Sequence, residues 1–298
     1  MTQPPSPELR PPEAIASKAS AAGAKKAGLD WPVVSVLGLL AGAYIGLGGL
    51  FATLALAGAA GAMPFGAAQV LAGVVFSVGL ILVLVGGAEL FTGNTLMVVA
   101  WAEERAELGT IAAKLGLVYV ANLVGAVAIA VLAVVGGVHL AGDGAVGAAA
   151  LAGAQDKASL PFGQALASGI LANILVCLAV WMAWGARSAA DKVLVIILPV
   201  ATFVALGLQH SVANMMLIPW GWLVREHAGD AFWAEAGITA AAFPDLTLAG
   251  FVGNLVPVTA GNVVGGALVG AAYWFAYLRK PQEAKTAEAD GNRTHHPR

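Results

Sequence analysis

Charge is what this chain has least of. Only 11% of its 298 residues are Asp, Glu, Lys or Arg, against roughly 25% in a soluble domain. With 59% hydrophobic residues and a mean hydropathy of +0.82, that shortage excludes an ordinary water-soluble fold and implies a chain solvated by lipid. Cysteine is nearly missing too. Cys177 stands alone in an apolar segment, which excludes an intramolecular disulfide and implies no redox role. No basic run is dense enough to follow a phosphate backbone, and the formal net charge is −2, so nucleic acid is not an expected partner. No short apolar core with a cleavage site opens the chain, so no signal peptide is expected. Metal ligands are scarce as well. Only His139 and His210 lie in or near the apolar segments, in different ones and without His-Glu spacing. That argues against an intramembrane enzyme and calls for no metal and no cofactor.

What the chain does have is small residues, 38 of them glycine, and these suit close helix packing in lipid, where hydrophobicity cannot drive association. Gly42 with Gly46 and Gly261 with Gly265 carry the small-xxx-small spacing of such contacts. Six apolar segments are long enough to cross a bilayer: residues 31–58, 66–100, 111–138, 160–184, 193–224 and 246–278. The second and fifth exceed one span, and each carries a polar interruption. In the fifth it is GLQHSVANMMLIPWG, residues 207–221, with Gln209, His210 and Asn214 followed by Pro219-Trp220-Gly221. In the second it is GGAELFTGNT, residues 86–95. An unpaired polar group in hydrocarbon costs several kcal/mol, so these residues must face protein or a wet cavity. Each long segment therefore reads as two half-helices joined by a loop at mid-membrane depth. The break at Pro219-Trp220-Gly221 is expected to end helix in the fifth. Two broken segments in matching halves point to a transport site.

The two halves echo each other in ANLVGA (residues 121–126) and GNVVGGA (residues 261–267). Three spans per half make the second half insert upside down, an inverted repeat. The fold class read from the sequence is thus an all-α, six-span membrane helix bundle with inverted three-helix repeats and broken second and fifth helices. Of the 15 Lys and Arg, only Lys157 and Arg225 fall on the face opposite the termini, which predicts both termini in the cytoplasm. Residues 1–30 form a polar N-terminal segment, in which 14–28 reads equally as a short helix or as a tail. Residues 31–279 form the membrane domain, and 280–298 a charged, disordered cytoplasmic tail whose Asn292-Arg-Thr sequence carries no meaning there.

The chemistry available at the interruptions is mild. Gly93 permits positive φ, and Thr92, Asn94 and Thr95 can satisfy backbone groups freed by a break. Half-helix N-termini favour anions. His210 is a titratable donor with an unperturbed pKa of ~6.5. Neither interruption contains Lys or Arg, so weak binding and passage fit better than tight capture. Phe76, Leu80, Leu90 and Phe203 are placed to make dry narrowings, although spacing alone does not separate narrowings from bundle core.

Four long strings resemble the formate/nitrite transporter family, most closely its formate channel branch. They are MPFGAAQVLAGVVFSVGLILVLVGGAELFTGNTL, ILANILVCLAVWMAWGARSAADK, LPVATFVALGLQHSVANMMLIPWG and NLVPVTAGNVVGGALVGAAYWFAYLR. The similarity extends over residues 31–279. It implies an aquaporin-like fold, a homopentamer with one pore per protomer, and residence in the bacterial inner membrane. The function implied is pH-dependent passage of a small monovalent anion together with protons, formate first. Nitrite is the alternative, with hydrosulfide, acetate and lactate behind it. The Asn-Pro-Ala pair of water and glycerol channels is missing. By resemblance, His210 is the central pore histidine and Thr92 its hydroxyl partner. Leu80 and Leu90 line the cytoplasmic constriction, Phe76 and Phe203 the periplasmic one. Lys157 attracts anions in the vestibule, and Asn173 and Asn262 line the path. Family members usually carry Glu before the histidine, where this chain has Gln209.

Overall fold

The structure, a computed structural model, describes residues 9–279, and these form helices with no strand among them. The expectations for the tail at 280–298 lie outside the described residues.

Helix α1 (Pro12–Ala27) resolves the first ambiguity, because the segment before the membrane domain is a packed helix. Its prolines at the start have φ preset for helix, Glu13 sits in the first turn, and Lys25 and Lys26 sit in the last, all matching the helix dipole. The helix is tied down from one side. Arg10 Nη1 donates to the carbonyls of Trp184 and Ala186 at 3.1 and 2.9 Å, and Lys18 Nζ donates to Trp184 O at 3.0 Å. These carbonyls end a long helix, where partial negative charge collects.

The membrane bundle follows as α2 (Trp31–Leu56), α3 (Phe65–Gly86), short α4 (Phe91–Asn94), a 3₁₀ turn (Thr95–Met97), α5 (Val98–Ala102) and α6 (Leu108–Val135). The remainder is α7 (Ala145–Ala158), α8 (Phe162–Gly185), α9 (Ala189–Ala205), α10 (Ser211–His227), α11 (Asp230–Ala236) and α12 (Leu248–Tyr277). Five of these, α2, α3, α6, α8 and α12, are long and apolar enough to cross a membrane, so the chain is a multi-pass helical membrane protein. The fifth apolar segment divides into α9 and α10, of 17 residues each. α2 packs along α6 and α3, α8 along α12, α3 against α9, and α10 against α6 and α7. Backbones meet closely where glycine allows it: a Cβ at Gly42 would strike the carbonyl of Asn122, and one at Gly261 the carbonyl of Leu166.

Both interruptions are present, and one is displaced. α3 stops at Gly86, Gly87 turns left-handed with φ 82°, and extended chain runs to Leu90 before α4. α9 stops at Ala205, and Gly207 turns with φ 66° before α10 begins at Ser211. The expected break at Pro219-Trp220-Gly221 does not occur there. α10 runs through Pro219 with Trp220 fully buried, because neighbouring helices tolerate a proline whose backbone is enclosed by protein. Helix α7 is an element the sequence reading did not anticipate.

Candidate functional site

The two interruptions meet. Thr92 lies in the first turn of α4 and His210 is the N-cap of α10; Thr92 Oγ1 and His210 Nε2 are 2.8 Å apart, with both residues buried. The backbone assigns the tautomer. His210 Nδ1 accepts the N–H of Ala213 at 3.1 Å, an N-cap bond. The neutral ring therefore carries its proton on Nε2 and donates to Thr92 Oγ1. The Phe203 ring lies nearly parallel to the imidazole, 5.8 Å between centroids at 21°. Phe76 meets Phe203 edge-on at 5.6 Å and 86°.

His210, Phe203 and Phe76 border a cavity of about 570 Å³, together with Gln209, Asn214 and Lys157. Lys157, near the end of α7, is half-buried. Burial pushes its pKa down to about 8, against the opposing charge of Asp156. Leu80 follows Phe76 by one helical turn on α3, and Leu90 immediately precedes α4. Both are buried in the core, away from the cavity lining.

Asn173 and Asn262 are fully buried and hold the loops. Asn173 Nδ2 donates to Thr92 O at 3.2 Å, Thr95 Oγ1 at 3.1 Å and Asn262 O at 2.5 Å. Asn262 Oδ1 accepts from Ser211 N at 2.9 Å, while its Nδ2 donates to Gly169 O at 2.8 Å and Gln209 O at 3.0 Å. A residue the sequence reading passed over does the same for the other loop. Asn122 Oδ1 accepts from Phe91 N at 2.9 Å, and its Nδ2 donates to Gly38 O at 2.7 Å and Glu89 O at 3.0 Å. The signal for it was the echo of ANLVGA by GNVVGGA, which puts Asn122 and Asn262 in matching places.

The loops also match within themselves. Asn94 Nδ2 donates to Glu89 Oε2 at 2.7 Å, and Asn214 Nδ2 to Gln209 Oε1 at 2.9 Å. Lys26 of α1 reaches the first loop, 2.7 Å from Glu89 Oε2 and 2.8 Å from Asn94 Oδ1. On the second loop Asn214 Nδ2 also donates to Asn254 Oδ1 at 2.7 Å, and Asn254 Nδ2 to the carbonyl of Lys157 at 2.8 Å.

Chemically, this arrangement offers an N–H and a hydroxyl behind an aromatic pair, with a cation further out. Such a set suits brief contact with a small anion, since fixed donors replace water over a short stretch of an otherwise dry path. A multi-pass helical bundle whose two broken segments join at a buried polar pair behind an open cavity belongs to the class of membrane transport proteins. Comparison with known proteins narrows the class. The family described as Formate/nitrite transporter matches residues 13–275. Formate channel FocA of Escherichia coli (strain K12) is 42% identical over 275 residues, covering 92% of this chain and 96% of that protein. A solved structure described as a pentameric formate channel with formate bound superposes with a TM-score of 0.76 at 39% identity, over 83% of this chain and 97% of the other. One described as an FNT family ion channel gives 0.75 at 32% identity, over 90% and 99%. The chain belongs to the formate/nitrite transporter family.

Proposed function

We propose that this protein is a homopentameric channel or transporter that passes formate, with protons, across the bacterial inner membrane. The observation that carries this reading is the buried Thr92–His210 pair, whose His210 borders the cavity. A bare carboxylate at the bilayer centre costs at least ~2.5–3.5 kcal/mol. The imidazole N–H and the Thr92 hydroxyl offset part of that cost, and a proton taken up with formate leaves a neutral acid for the dry stretch. Phe76 and Phe203 form the narrowing on the Lys157 side, and Leu80 with Leu90 the one beyond the polar pair. Lys157 draws anions into the vestibule. Asn173 and Asn262 hold the walls of the path by fixing the loop backbones.

The architecture we propose is six spans in inverted three-helix repeats, aquaporin-like, with α3 through α5 and α9 with α10 as the two broken spans. The matching bonds of Asn122 and Asn262, and of Asn94 and Asn214, support the repeat. Pentameric assembly and formate as substrate follow the relatives' descriptions. Both termini face the cytoplasm, which puts Lys157 at the periplasmic mouth.

The test uses purified full-length protein. Native mass spectrometry is expected to show five protomers. In liposomes, labelled formate is expected to enter faster at pH 5.5 than at pH 7.5 and faster than nitrite at equal concentration. A monomer active on its own would refute the assembly, and preference for nitrite at both pH values would refute the substrate.

A further inference from the structure

The two loops match in backbone and in amide partners, yet they differ in charge. At the first loop the position five residues before the asparagine is Glu89, and its carboxylate meets Lys26 at 2.7 Å. At the second loop the matching position is Gln209. Its side-chain oxygen accepts from Asn214, and its Nε2 donates to Gly207 O at 2.8 Å. Lys157 borders the same cavity as this loop, and Asn254 holds its carbonyl. The Lys157 ammonium makes neither an ion pair nor a hydrogen bond among the described residues. Its sequence neighbour Asp156 is the other charged residue bordering the cavity, and it stays outside ion-pair distance. The first loop thus has an ion-paired lysine beside it, and the second shares its cavity with a lysine that has no ion pair among the described residues.

We infer that Gln209 determines sidedness: by placing an amide where the first loop has a carboxylate, it leaves Lys157 free to capture a small monovalent anion, so the pore binds its substrate more tightly from the Lys157 mouth than from the α1 mouth. This rests on the proposed transport of such an anion. A passive pore obeys one constraint. At zero potential the ratio of maximal flux to half-saturation is equal in both directions, so tighter capture at one mouth appears as a lower half-saturation and a lower ceiling together. A carboxylate at position 209 would instead compete with the substrate for the ammonium, as Glu89 does at Lys26.

The experiment is zero-trans uptake of labelled formate into right-side-out and inside-out membrane vesicles, with pentamer content checked for each variant. In the parent, half-saturation at the Lys157 mouth is expected to be roughly fivefold lower than at the other, the effect of one partly screened charge. Gln209→Glu is expected to bring the two mouths within about twofold, and Lys157→Gln to do the same by removing the cation. Glu89→Gln removes the carboxylate charge from beside Lys26, which keeps its bond to Asn94 Oδ1, and is expected to lower half-saturation at the α1 mouth. Equal half-saturation at both mouths of the parent, or an unchanged difference in assembled Gln209→Glu, would overturn the inference while leaving formate transport standing. Absence of saturable formate flux in the assembled parent would overturn the transport reading and the inference with it.

Discussion

At the scale of single residues the proposed path rests on two donors and one remote charge. Thr92→Val keeps shape and removes the hydroxyl from the imidazole N–H. The Thr92 carbonyl remains held by Asn173, so the loop should persist. An unpaired buried donor costs about 1–3 kcal/mol, and formate flux is expected to fall on the order of tenfold with assembly intact; unchanged flux in liposomes would leave Thr92 a purely structural part. His210→Asn is the sharper substitution. Asparagine is a good N-cap, so its oxygen can accept from Ala213 N while its amide faces Thr92. The variant is expected to assemble and pass formate, and to lose the pH dependence that a titratable ring supplies. A pH profile like the parent's would place proton handling elsewhere. Lys157 gives a second pH effect of known sign. Its pKa is lowered to about 8 by burial, so it is a cation at neutral pH and neutral well above 8. Half-saturation at its mouth should rise between pH 7 and pH 9, and Lys157→Gln should abolish that rise. The polar intruders themselves were legible, because Gln, His, Asn and Thr within apolar runs stand out. The pairing of Thr92 with His210 came only with the family resemblance, since they lie 118 residues apart and no local pattern specifies which face meets which.

At the scale of elements, the two loops persist because one asparagine staples each. Asn122 joins Phe91, Gly38 and Glu89, and Asn262 joins Ser211, Gly169 and Gln209. Extended backbone inside a bilayer needs such partners, as water is absent. Asn122→Leu or Asn262→Leu strands several buried backbone groups at about 1–3 kcal/mol each. Either variant is expected to lose assembled protein on mild heating in detergent well before Thr92→Val does, as read by size exclusion after a temperature series. Equal heat resistance of all three would show that the loops do not depend on the staples. The half-helices were legible from segment length and polar content, but the position of the second break was not. Proline marks a break in water-exposed helix; within α10, packed against α6 and α7, Pro219 is carried through. The turn occurs at Gly207, whose positive φ is cheap for glycine. Helix α7 escaped the reading because its Ala-rich sequence is neither long nor apolar enough to announce itself as a span. α1 stayed ambiguous because its partners, the carbonyls ending α8, lie more than 160 residues away.

At the scale of the whole molecule, hydropathy made the five long apolar helices legible and left the assembly illegible, since a face meeting lipid and a face meeting another protomer are both apolar. Charge speaks to orientation instead. Arg105 Nη1 donates to Ser20 of α1 at 3.3 Å; Lys114 donates to the Leu29 carbonyl and sits 3.8 Å over the Trp31 ring. Arg10, Lys18 and Lys26 hold α1 to the same end of the bundle. At the other end are Lys157 and Arg225, the latter donating to Leu246 O at 2.9 Å. Translocating the crowded end would require dragging many cations across the membrane, each expensive at the bilayer centre, which is the ground on which we propose that this end stays in the cytoplasm. A reporter fused after Arg279 is expected to be active only as a cytoplasmic fusion, and one inserted in the 141–144 loop before α7 only as a periplasmic one. A periplasmic signal from the fusion after Arg279 would invert the topology, and it would move Lys157, with the capture proposed for it, to the cytoplasmic face.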